Sequence, residues 1–469
     1  VATTDANNGV IDLGQLAVTG TMDLTTHGSG NATIDNGTLD IVLIASGVGG
    51  NLTLTTGNAS GITDTGTVTV GGNLVATTDA NNGVINLDQT AVTGTVALTT
   101  NGSGNATFDN GTLNLDLAAS NVGGSLTVTS GNASGITDSG TVTVGGNLVA
   151  TTDANNGVID LGQLAVDGTV ALTTNGNGAA TAVNDAGLNF AASTVGGALS
   201  ATATTGDITD SGNLAITGAA TFITGATGSN IVLDSSGNAF SNSVEMRADD
   251  GSEAFGNITF VDSAAVDLDS SASANGDLYI NAATDGSVGG NLSVTATTEN
   301  ITQNTALAIT GTTTLVTSAN DATITLNNTG NAFTGAITIT TNDASGTDAD
   351  VVIDGGTTAL QIAASTIDGD LTLTSGNASG ITDTGTVTVG GNLIATTDAN
   401  NGVINLDSMA VDGTFTLAPN NTGAVTIVND AGLNLAASTM GGTFSGTATT
   451  GDITDSGNLA ITGAATFIT

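Results

Sequence analysis

The chain has 469 residues with 42 Asp and Glu but one Lys or Arg, so its formal net charge is −41. Nucleic acids and anionic membrane surfaces are bound by clustered Lys and Arg, and the sequence predicts neither partner. It has no Cys, which excludes disulfides, cysteine nucleophiles and Cys-containing zinc sites. Hydrophobic residues make up 39% and charged residues 9%, unlike disordered acidic chains. No apolar run approaches the ~18 residues of a membrane-spanning helix, so no membrane insertion is predicted.

Long internal repeats organise the sequence. VATTDANNGV occurs at Val1, Val75 and Val149, at equal intervals, and a near copy begins at Ile394. Repeats at fixed periods indicate a solenoid or another repeat architecture. We therefore predict one continuous array over residues 1–469, belonging to a longer repeat protein. Its predicted super-repeats are 1–74, 75–148, 149–393 and a partial 394–469.

A shorter unit of about 22 residues lies within these repeats and begins at Val-Gly-Gly or a variant of it. In 48–69, Leu52 and Leu54 alternate with Thr, which is the pattern of a strand with one buried face. Short strands are also predicted around Ile62 and Val68, separated by Gly and Asn corners. Some units, such as 92–121, are longer and carry the additional run 113–117. We interpret these units as longer coils with a longer strand or a lateral protrusion.

A unit this small cannot bury its own apolar side chains, but stacked units can. The pattern predicts an all-β parallel β-solenoid with Leu52 stacked on Leu74 and Ile62 stacked on Ile85. The alternative is a string of β-sandwich domains. The interval between Val1 and Val75 is short for such domains, and the nearly constant spacing of the shorter units has no place in them.

The Val-Gly-Gly-Asn-Leu-x-Leu-x-Thr pattern, followed by Gly-x-Ile-x-Asp and Gly-x-Val, resembles the repeats of filamentous haemagglutinin-like exoproteins. These are bacterial surface adhesins related to two-partner secretion proteins and autotransporter passengers. The resemblance covers essentially the whole chain, as a style of repeat and not as one diagnostic motif. It implies a right-handed parallel β-helix, export across the outer membrane, and a role in adhesion or surface structure.

Threonine recurs seven residues after the start of most units. The residues are Thr25, Thr55, Thr77, Thr99, Thr129, Thr151, Thr173, Thr202, Thr295, Thr340, Thr374, Thr396 and Thr447. In a solenoid with one unit per coil they would form one column. An ice-binding face would need a second, paired Thr column, and the column two residues earlier is mixed. The pattern therefore favours an ordinary outward strand face, on which Thr packs well.

A second recurring position is acidic or carries an amide. Its members are Asp12, Asp64, Asn86, Asp138, Asp160, Asp383 and Asn405. Asp138 and Asp160 fall in successive units, where two carboxylates one rung apart would repel by about 1 kcal/mol in water. Bound Ca²⁺ would relieve this repulsion, and Asp64, Asp138, Asp160 and Asp383 are the predicted ligands. The alternative is that these residues stabilise turns by bonding their own backbone.

The sequence predicts a non-enzymatic, extracellular structural or adhesive repeat protein that forms a rod or fibre on the cell surface. The alternatives are a self-assembling filament or sheath subunit with Ca²⁺-assisted packing, and a β-helix carbohydrate-active enzyme. The enzyme is disfavoured because every candidate Asp belongs to a repeat and Arg247 is the sole basic residue near a varied acidic cluster, with Glu245, Asp249, Asp250 and Glu253. The predicted partners are further copies or a continuation of the same chain, and a surface glycan or cell receptor. Uncapped end rungs would favour such continuation, since an open strand edge recruits another strand.

Overall fold

The computed structural model describes residues 1–5, 7–79, 82–153, 156–248, 256–269, 278–280, 287–342 and 348–469. All regular secondary structure within these ranges is β-strand, and the strands pair in parallel. No helix of the described residues is long and apolar enough to cross a membrane. The chain forms two compact units, Val1–Gly225 and Ala226–Thr469. The prediction of an all-β parallel solenoid is confirmed in each unit.

The strands are short and follow one another closely along the chain. Those of the first unit are β1 Ala2–Thr3, β2 Ile11–Leu13, β3 Leu24–Thr25, β4 Ala32–Asp35, β5 Ile41–Leu43, β6 Ser46–Val48, β7 Leu52–Thr56, β8 Ile62–Asp64, β9 Val68–Val70, β10 Leu74–Thr78, β11 Ile85–Leu87, β12 Thr90–Val92, β13 Thr95–Thr99, β14 Ala106–Asp109, β15 Leu115–Leu117, β16 Ser120–Val122, β17 Leu126–Ser130, β18 Ile136–Asp138, β19 Val142–Val144, β20 Leu148–Thr152, β21 Ile159–Val166, β22 Thr169–Thr173, β23 Ala180–Asn184, β24 Leu188–Phe190, β25 Ser193–Val195, β26 Leu199–Ala203, β27 Ile208–Asp210, β28 Leu214–Ile216 and β29 Ala220–Thr224.

The second unit is built in the same way. Its strands are β30 Ile231–Leu233, β31 Ala239–Phe240, β32 Val244–Ala248, β33 Ile258–Asp262, β34 Val266–Asp269, β35 Leu278–Ile280, β36 Ser287–Val288, β37 Leu292–Ala296, β38 Ile301–Gln303, β39 Ala308–Ile309, β40 Thr313–Asn320, β41 Ile324–Leu326, β42 Ala332–Phe333, β43 Ile337–Asn342, β44 Val351–Asp354, β45 Leu360–Ile362, β46 Ser365–Ile367, β47 Leu371–Ser375, β48 Ile381–Asp383, β49 Val387–Val389, β50 Leu393–Thr397, β51 Ile404–Val411, β52 Phe415–Ala418, β53 Val425–Asn429, β54 Leu433–Leu435, β55 Ser438–Met440, β56 Phe444–Ala448, β57 Ile453–Asp455, β58 Leu459–Ile461 and β59 Ala465–Ile468.

Two kinds of segment recur. A long segment is one strand such as β7, in which Leu52, Leu54 and Thr56 point inward and are buried. A split segment is two short strands such as β8 and β9, joined by a bend and burying Ile62 and Val68. Thr, Val and Ile fit the strands of both kinds, and Gly and Asn occupy the corners between them.

In the first unit, successive segments lie on two opposite faces of the coil. On the first face, Leu74 of β10 pairs with Leu52 of β7 and with Val96 of β13. On the second face, Ile85 of β11 pairs with Ile62 of β8. The stacking predicted for Leu52 and Ile62 is thus confirmed.

The two faces share one apolar core. Phe190 of the second face packs edge-on against Phe222 of the first face, with ring centroids 6.2 Å apart. Leu52, Leu74 and Val96 are at most 1% exposed. Full burial of one such side chain stabilises the fold by about 1.5–3 kcal/mol, and the columns repeat this gain at every rung. The alternative of separate β-sandwich domains is therefore excluded within each unit.

The long repeat of the first unit makes three and a half turns. From Leu52 to Leu126 the chain passes through seven segments, which are β7, β8 with β9, β10, β11 with β12, β13, β14, and β15 with β16. Seven segments on two alternating faces leave Leu52 on the first face and Leu126, its copy, on the second. The second unit repeats this order from Leu371 to Phe444. Identical sequences in successive repeats thus lie on opposite faces.

The prediction that units such as 92–121 form longer coils is wrong. Within 92–121 the chain forms two consecutive long segments, β13 and β14, followed by the split segment β15 with β16. The rung spacing is unchanged, because Thr99 pairs with Asn121 just as Thr77 pairs with Thr99. The additional length is a half-turn inserted as β14. The run 113–117, predicted as a longer strand or a protrusion, contributes Leu115–Leu117 to an ordinary split segment that pairs with β18.

Candidate functional site

One of the predicted metal ligands, Asp64, anchors the bend of a split segment. Asp64 ends β8, and its carboxylate accepts hydrogen bonds from the backbone N–H of Asp88 (3.2 Å) and Gln89 (3.0 Å) and from the Thr90 hydroxyl (2.8 Å). These residues form the bend of the split segment one rung later. Burial raises the pKa of the Asp64 carboxyl above its usual value, and the hydrogen bonds from Thr90 and Gln89 oppose that rise.

Asp138 and Asp383 occupy the equivalent position in other repeats, where the next rung is a single strand, β21 or β51, whose register shifts near the bonded residues. The Asp138 carboxylate accepts the N–H groups of Gly162 (3.1 Å) and Gln163 (2.7 Å), and Asp383 accepts the N–H of Asp407 (2.8 Å). Burial raises the pKa of both carboxyls. The role resembles the predicted turn alternative, but the bonded backbone belongs to the next rung and not to the residue's own turn.

The predicted acidic column is not formed. Asp138 pairs with Leu117, whereas Asp160 pairs with Thr137 and Thr181 and faces outward. The column fails because Ile136 pairs with Ile159, and this register places Asp160 one position before the partner of Asp138. In a strand, a shift of one residue moves a side chain to the opposite face. The equivalent residues Asp64 and Asp138 are also separated by a whole repeat of three and a half turns.

No group of three or more His, Cys, Asp or Glu side chains among the described residues is arranged to hold a metal ion. Stacked carboxylates occur elsewhere, at a position that the sequence reasoning did not consider. Asp350 Oδ1 accepts the N–H of Asp370 (2.7 Å), and Asp370 Oδ1 accepts the N–H of Asn392 (2.6 Å). Binding of Ca²⁺ by the protein stays a prediction.

A ladder of amide side chains follows the Val-Gly-Gly-Asn corner. Asn31 Oδ1 accepts the N–H of Asn51 (2.8 Å), Asn51 Oδ1 that of Asn73 (2.9 Å), and Asn73 Oδ1 that of Thr95 (3.0 Å). The second glycine of the motif leaves room for it, since a Cβ on Gly72 would lie 2.3 Å from Asn51 Oδ1. The recurring motif therefore encodes contact between rungs.

A set of buried asparagines was not predicted from the sequence. They lie at the end of the long segment that adds the half-turn to each repeat. Asn110 is fully buried, and its side chain accepts the N–H of Val92 (2.7 Å) and donates to the Val92 carbonyl (3.0 Å). On the next rung β14 pairs with β11 and does not extend over β12. The Asn110 side chain therefore supplies the hydrogen bonds that a neighbouring strand would have made to Val92. The equivalent residues are Asn36, Asn184 and Asn429. They recur at the same intervals as the VATTDANNGV segments, which was a detectable signal.

The threonine column is divided between the two faces. Thr55, Thr77 and Thr99 stack on the first face, and Thr129, Thr151 and Thr173 stack on the second. The single column predicted along the whole chain is thus wrong, because each repeat advances by a half-integral number of turns. Most of these side chains are partly exposed, which agrees with the predicted outward face.

The varied cluster around Arg247 is described only in part. Arg247 Nε lies 3.2 Å from Glu245 Oε1, and the two side chains are 34% and 26% exposed. Asp249, Asp250 and Glu253 lie outside the described residues. A partly exposed ion pair of this kind contributes little to stability.

A model of a repeat family described as "Repeats of unknown function (DUF5649)" matches the sequence six times. The matches cover residues 29–99, 103–161, 177–247, 255–340, 348–420 and 422–469. Each match begins three residues before a long segment, which is β4, β14, β23, β33, β44 or β53 in turn. No curated protein and no solved structure matches the chain. Each match therefore begins at the corner before a long segment, whichever face that segment lies on.

Proposed function

The chain belongs to the DUF5649 family of repeats, and we propose that it is a non-enzymatic structural repeat protein that acts outside the cell. Its solenoid units would serve as stiff elements of a cell-surface adhesin. The observation that carries this proposal is the repeated stacking of apolar columns among the described residues of each unit, combined with outward faces that repeat the same few residues. A uniform surface of this kind suits a spacer or an adhesive array better than it suits a catalytic site, which needs a unique group of residues.

Stiffness follows from the way the rungs are joined. Neighbouring rungs are joined by hydrogen bonds between strands and by the Asn31–Asn51–Asn73 ladder. Buried asparagines such as Asn110 add side-chain hydrogen bonds to the backbone of the adjacent rung. A local bend would have to break several of these interactions at once. In repeat proteins, stability is the sum of intrinsic repeat terms and nearest-neighbour interface terms, so many equal interfaces suit load bearing.

The composition supports an extracellular location. Arg247 is the only Lys or Arg, so trypsin has a single cleavage site in the chain. The acidic surface opposes nonspecific adsorption to anionic envelopes, because like charges repel. Adhesion would then depend on hydroxyl and amide groups, and a surface glycan or a cell receptor is the proposed partner.

Surface labelling of intact cells that express the protein tests this proposal. An antibody against the repeats should label unpermeabilised cells, and external proteinase K should remove the signal while a cytoplasmic marker survives. Force spectroscopy on the purified chain should show a high unfolding force that recurs along the array. Labelling only after permeabilisation would contradict the extracellular role.

A filament with Ca²⁺-assisted packing is the second candidate, favoured by the stacked carboxylates of Asp350 and Asp370 within a chain of net charge −41. Electron microscopy with and without a chelator tests it. Fibres that disperse in chelator, and that no longer respond to chelator in the variant Asp350→Asn/Asp370→Asn, would support it. The Asn replacements recreate the ladder of Asn31 and Asn51, so they provide a conservative change. Fibres with the same response to chelator in both proteins would exclude these two residues.

A further inference from the structure

The outward side chains of the long segments form two identical patches in the first unit. The first Thr patch lies on β4, β7, β10 and β13 and consists of Thr33, Asp35, Thr53, Thr55, Val75, Thr77, Ala97 and Thr99. The second Thr patch lies on β14, β17, β20 and β22 and consists of Thr107, Asp109, Thr127, Thr129, Val149, Thr151, Ala171 and Thr173. Because the repeat makes three and a half turns, the two patches lie on opposite faces, about 17 Å apart along the axis at ~4.8 Å per rung.

These patches are nearly uncharged in a protein of net charge −41. Their acidic members, Asp35 and Asp109, both lie on the first rung, and the next three rungs carry only Thr, Val and Ala. Small and β-branched side chains on a flat ladder can interdigitate with an identical ladder, as in dry interfaces between paired sheets. A second copy presents the same rung spacing and so matches the patch along its whole length.

We propose that copies of this chain associate side by side through their Thr patches, so that a second copy of the chain is the partner of each face. This inference specifies the homotypic contact and rests on the proposed structural function. Since the two patches face opposite ways, one copy can bridge two others, and association is open-ended. The second unit carries corresponding long segments, on β37, β40 and β43 and on β47, β50 and β52.

The size of a patch sets the strength of one contact. Four rungs at ~4.8 Å and a strand of five residues at ~3.3 Å give about 320 Å². A stable interface buries roughly 800 Å² on each partner, so one patch pair alone is weak. Several patches on one chain raise the effective concentration of the remaining contacts. We therefore expect weak pairing of single patches and strong lateral association of whole chains.

Salt provides the first test, by sedimentation velocity of the full chain over a wide range of concentrations. Raising NaCl shortens the Debye length from about 10 Å at 0.1 M to about 3 Å at 1 M, which screens the repulsion between acidic copies. Association should therefore increase with NaCl and should persist in chelator. A chain that stays monomeric at every concentration and salt level would overturn the proposal, and so would association that needs Ca²⁺.

Matched variants locate the contact. The patch variant combines Thr77→Asp, Thr151→Asp, Val316→Asp and Thr396→Asp, all at outward positions of long segments. The control variant combines Thr69→Asp, Thr143→Asp, Ala215→Asp and Thr388→Asp, all at exposed positions of split segments outside the patches. Both variants add four negative charges. The patch variant should associate at least about tenfold more weakly than the control, a difference of ~1.4 kcal/mol.

Equal weakening in both variants would overturn the proposal, because general charge repulsion would then account for the loss. Patch-dependent binding of a neutral polysaccharide by a chain that stays monomeric would overturn it as well. Circular dichroism melting curves show whether each variant is folded, and single patch substitutions replace the combined set if it is not. Surface labelling of cells that express the wild type separates the two proposals. Normal display of a wild type that does not associate contradicts only the lateral contact, whereas absence of display contradicts the proposed function.

Discussion

Two stretches of the first face stack in the same way but differ at the corner before each long segment. In the first stretch the corner residues are Asn31, Asn51 and Asn73, whose side chains bond the next rung. In the second stretch Ala179, Ala198 and Ala219 occupy these positions, before β23, β26 and β29. Both stretches form regular parallel rungs. The amide ladder is therefore an addition to a coil that strand pairing and core packing already specify.

The glycines of the motif differ from the asparagines in this respect, because both stretches need them. A Cβ on Gly72 would lie 2.3 Å from Asn51 Oδ1, and a Cβ on Gly218 would lie 2.4 Å from the backbone carbon of Gly197. Backbone cannot move aside as a side chain can. The close approach of successive rungs thus requires glycine with or without the ladder.

Replacing these glycines should produce the largest losses. Gly218→Ala should lower the free energy of unfolding by about 3 kcal/mol and Gly72→Ala by about 2 kcal/mol, since overpacking costs most against backbone. Gly14→Ala, with no atom within 4 Å of the added Cβ, is the control and should change it by less than about 0.5 kcal/mol. Urea unfolding measures all three. A loss from Gly14→Ala as large as that from Gly218→Ala would refute the steric explanation.

A buried hydroxyl extends the comparison to the core. Thr313 is fully buried at the first inward position of β40, and its Oγ1 has no hydrogen-bond partner. Thr313→Val keeps the shape and removes the unpaired hydroxyl, so stability should rise by about 1 kcal/mol. Thr56→Val is the contrasting variant, because the Thr56 hydroxyl donates to the Leu39 carbonyl (2.5 Å), and it should lose stability. Thermal melts of the two variants should shift in opposite directions.

Exchanging the corner residues between the stretches sharpens the comparison. Asn51→Ala should cost about 1 kcal/mol, because the N–H of Asn73 loses its acceptor. Ala198→Asn should recover part of such a contact in the second stretch and stabilise it by up to about 1 kcal/mol. Both are read from urea midpoints. Unchanged midpoints in both variants would mean that water replaces the ladder without loss.

The smallest expected effect is a pH dependence at the bend anchors. Burial raises the pKa of the Asp138 carboxyl in the folded chain, so the folded state holds this proton more tightly than the unfolded state does. The stability that this group contributes is then present below its unfolded pKa and is lost as the pH rises through the folded value. Between about pH 4 and pH 7 the wild type should lose more stability than Asp138→Asn does. A wild type that gains stability relative to the variant over this interval would contradict the assignment.

The sequence was sufficient to predict the strands and their stacking, because the alternation in 48–69 and the regular spacing of the short units constrain both. It did not predict the face on which each repeat lies. That depends on the number of half-turns in a repeat. The Val-Gly-Gly corners divide each repeat into three units, and they do not mark the additional half-turn within the longest unit. The inserted segment β14 was overlooked because Ala106 and Phe108 form only a brief alternation.

The misassigned sites have the same origin. Asp138 and Asp160 occupy different positions in their strands, because Asp160 pairs with Thr137 and not with Asp138. Counting residues from the start of each unit did not reveal this difference of one residue. The recurrence of Asn110 was detectable, but in a sequence rich in Asn a recurring Asn does not by itself indicate burial. Its burial and its contacts with Val92 depend on the half-turn that β14 adds to the repeat.

The half-turn phase of the repeat can be tested most directly by disulfide cross-linking, since the chain contains no cysteine. Thr99 pairs with Asn121 on the first face, whereas Thr129 lies on the second face. Paired residues on neighbouring strands are ~4.8 Å apart, within the range that a disulfide can bridge. Thr99→Cys/Asn121→Cys should therefore oxidise readily, and Thr99→Cys/Thr129→Cys should stay reduced. Ready oxidation of the second pair with none of the first would contradict the half-turn and restore a single longer coil over 92–121.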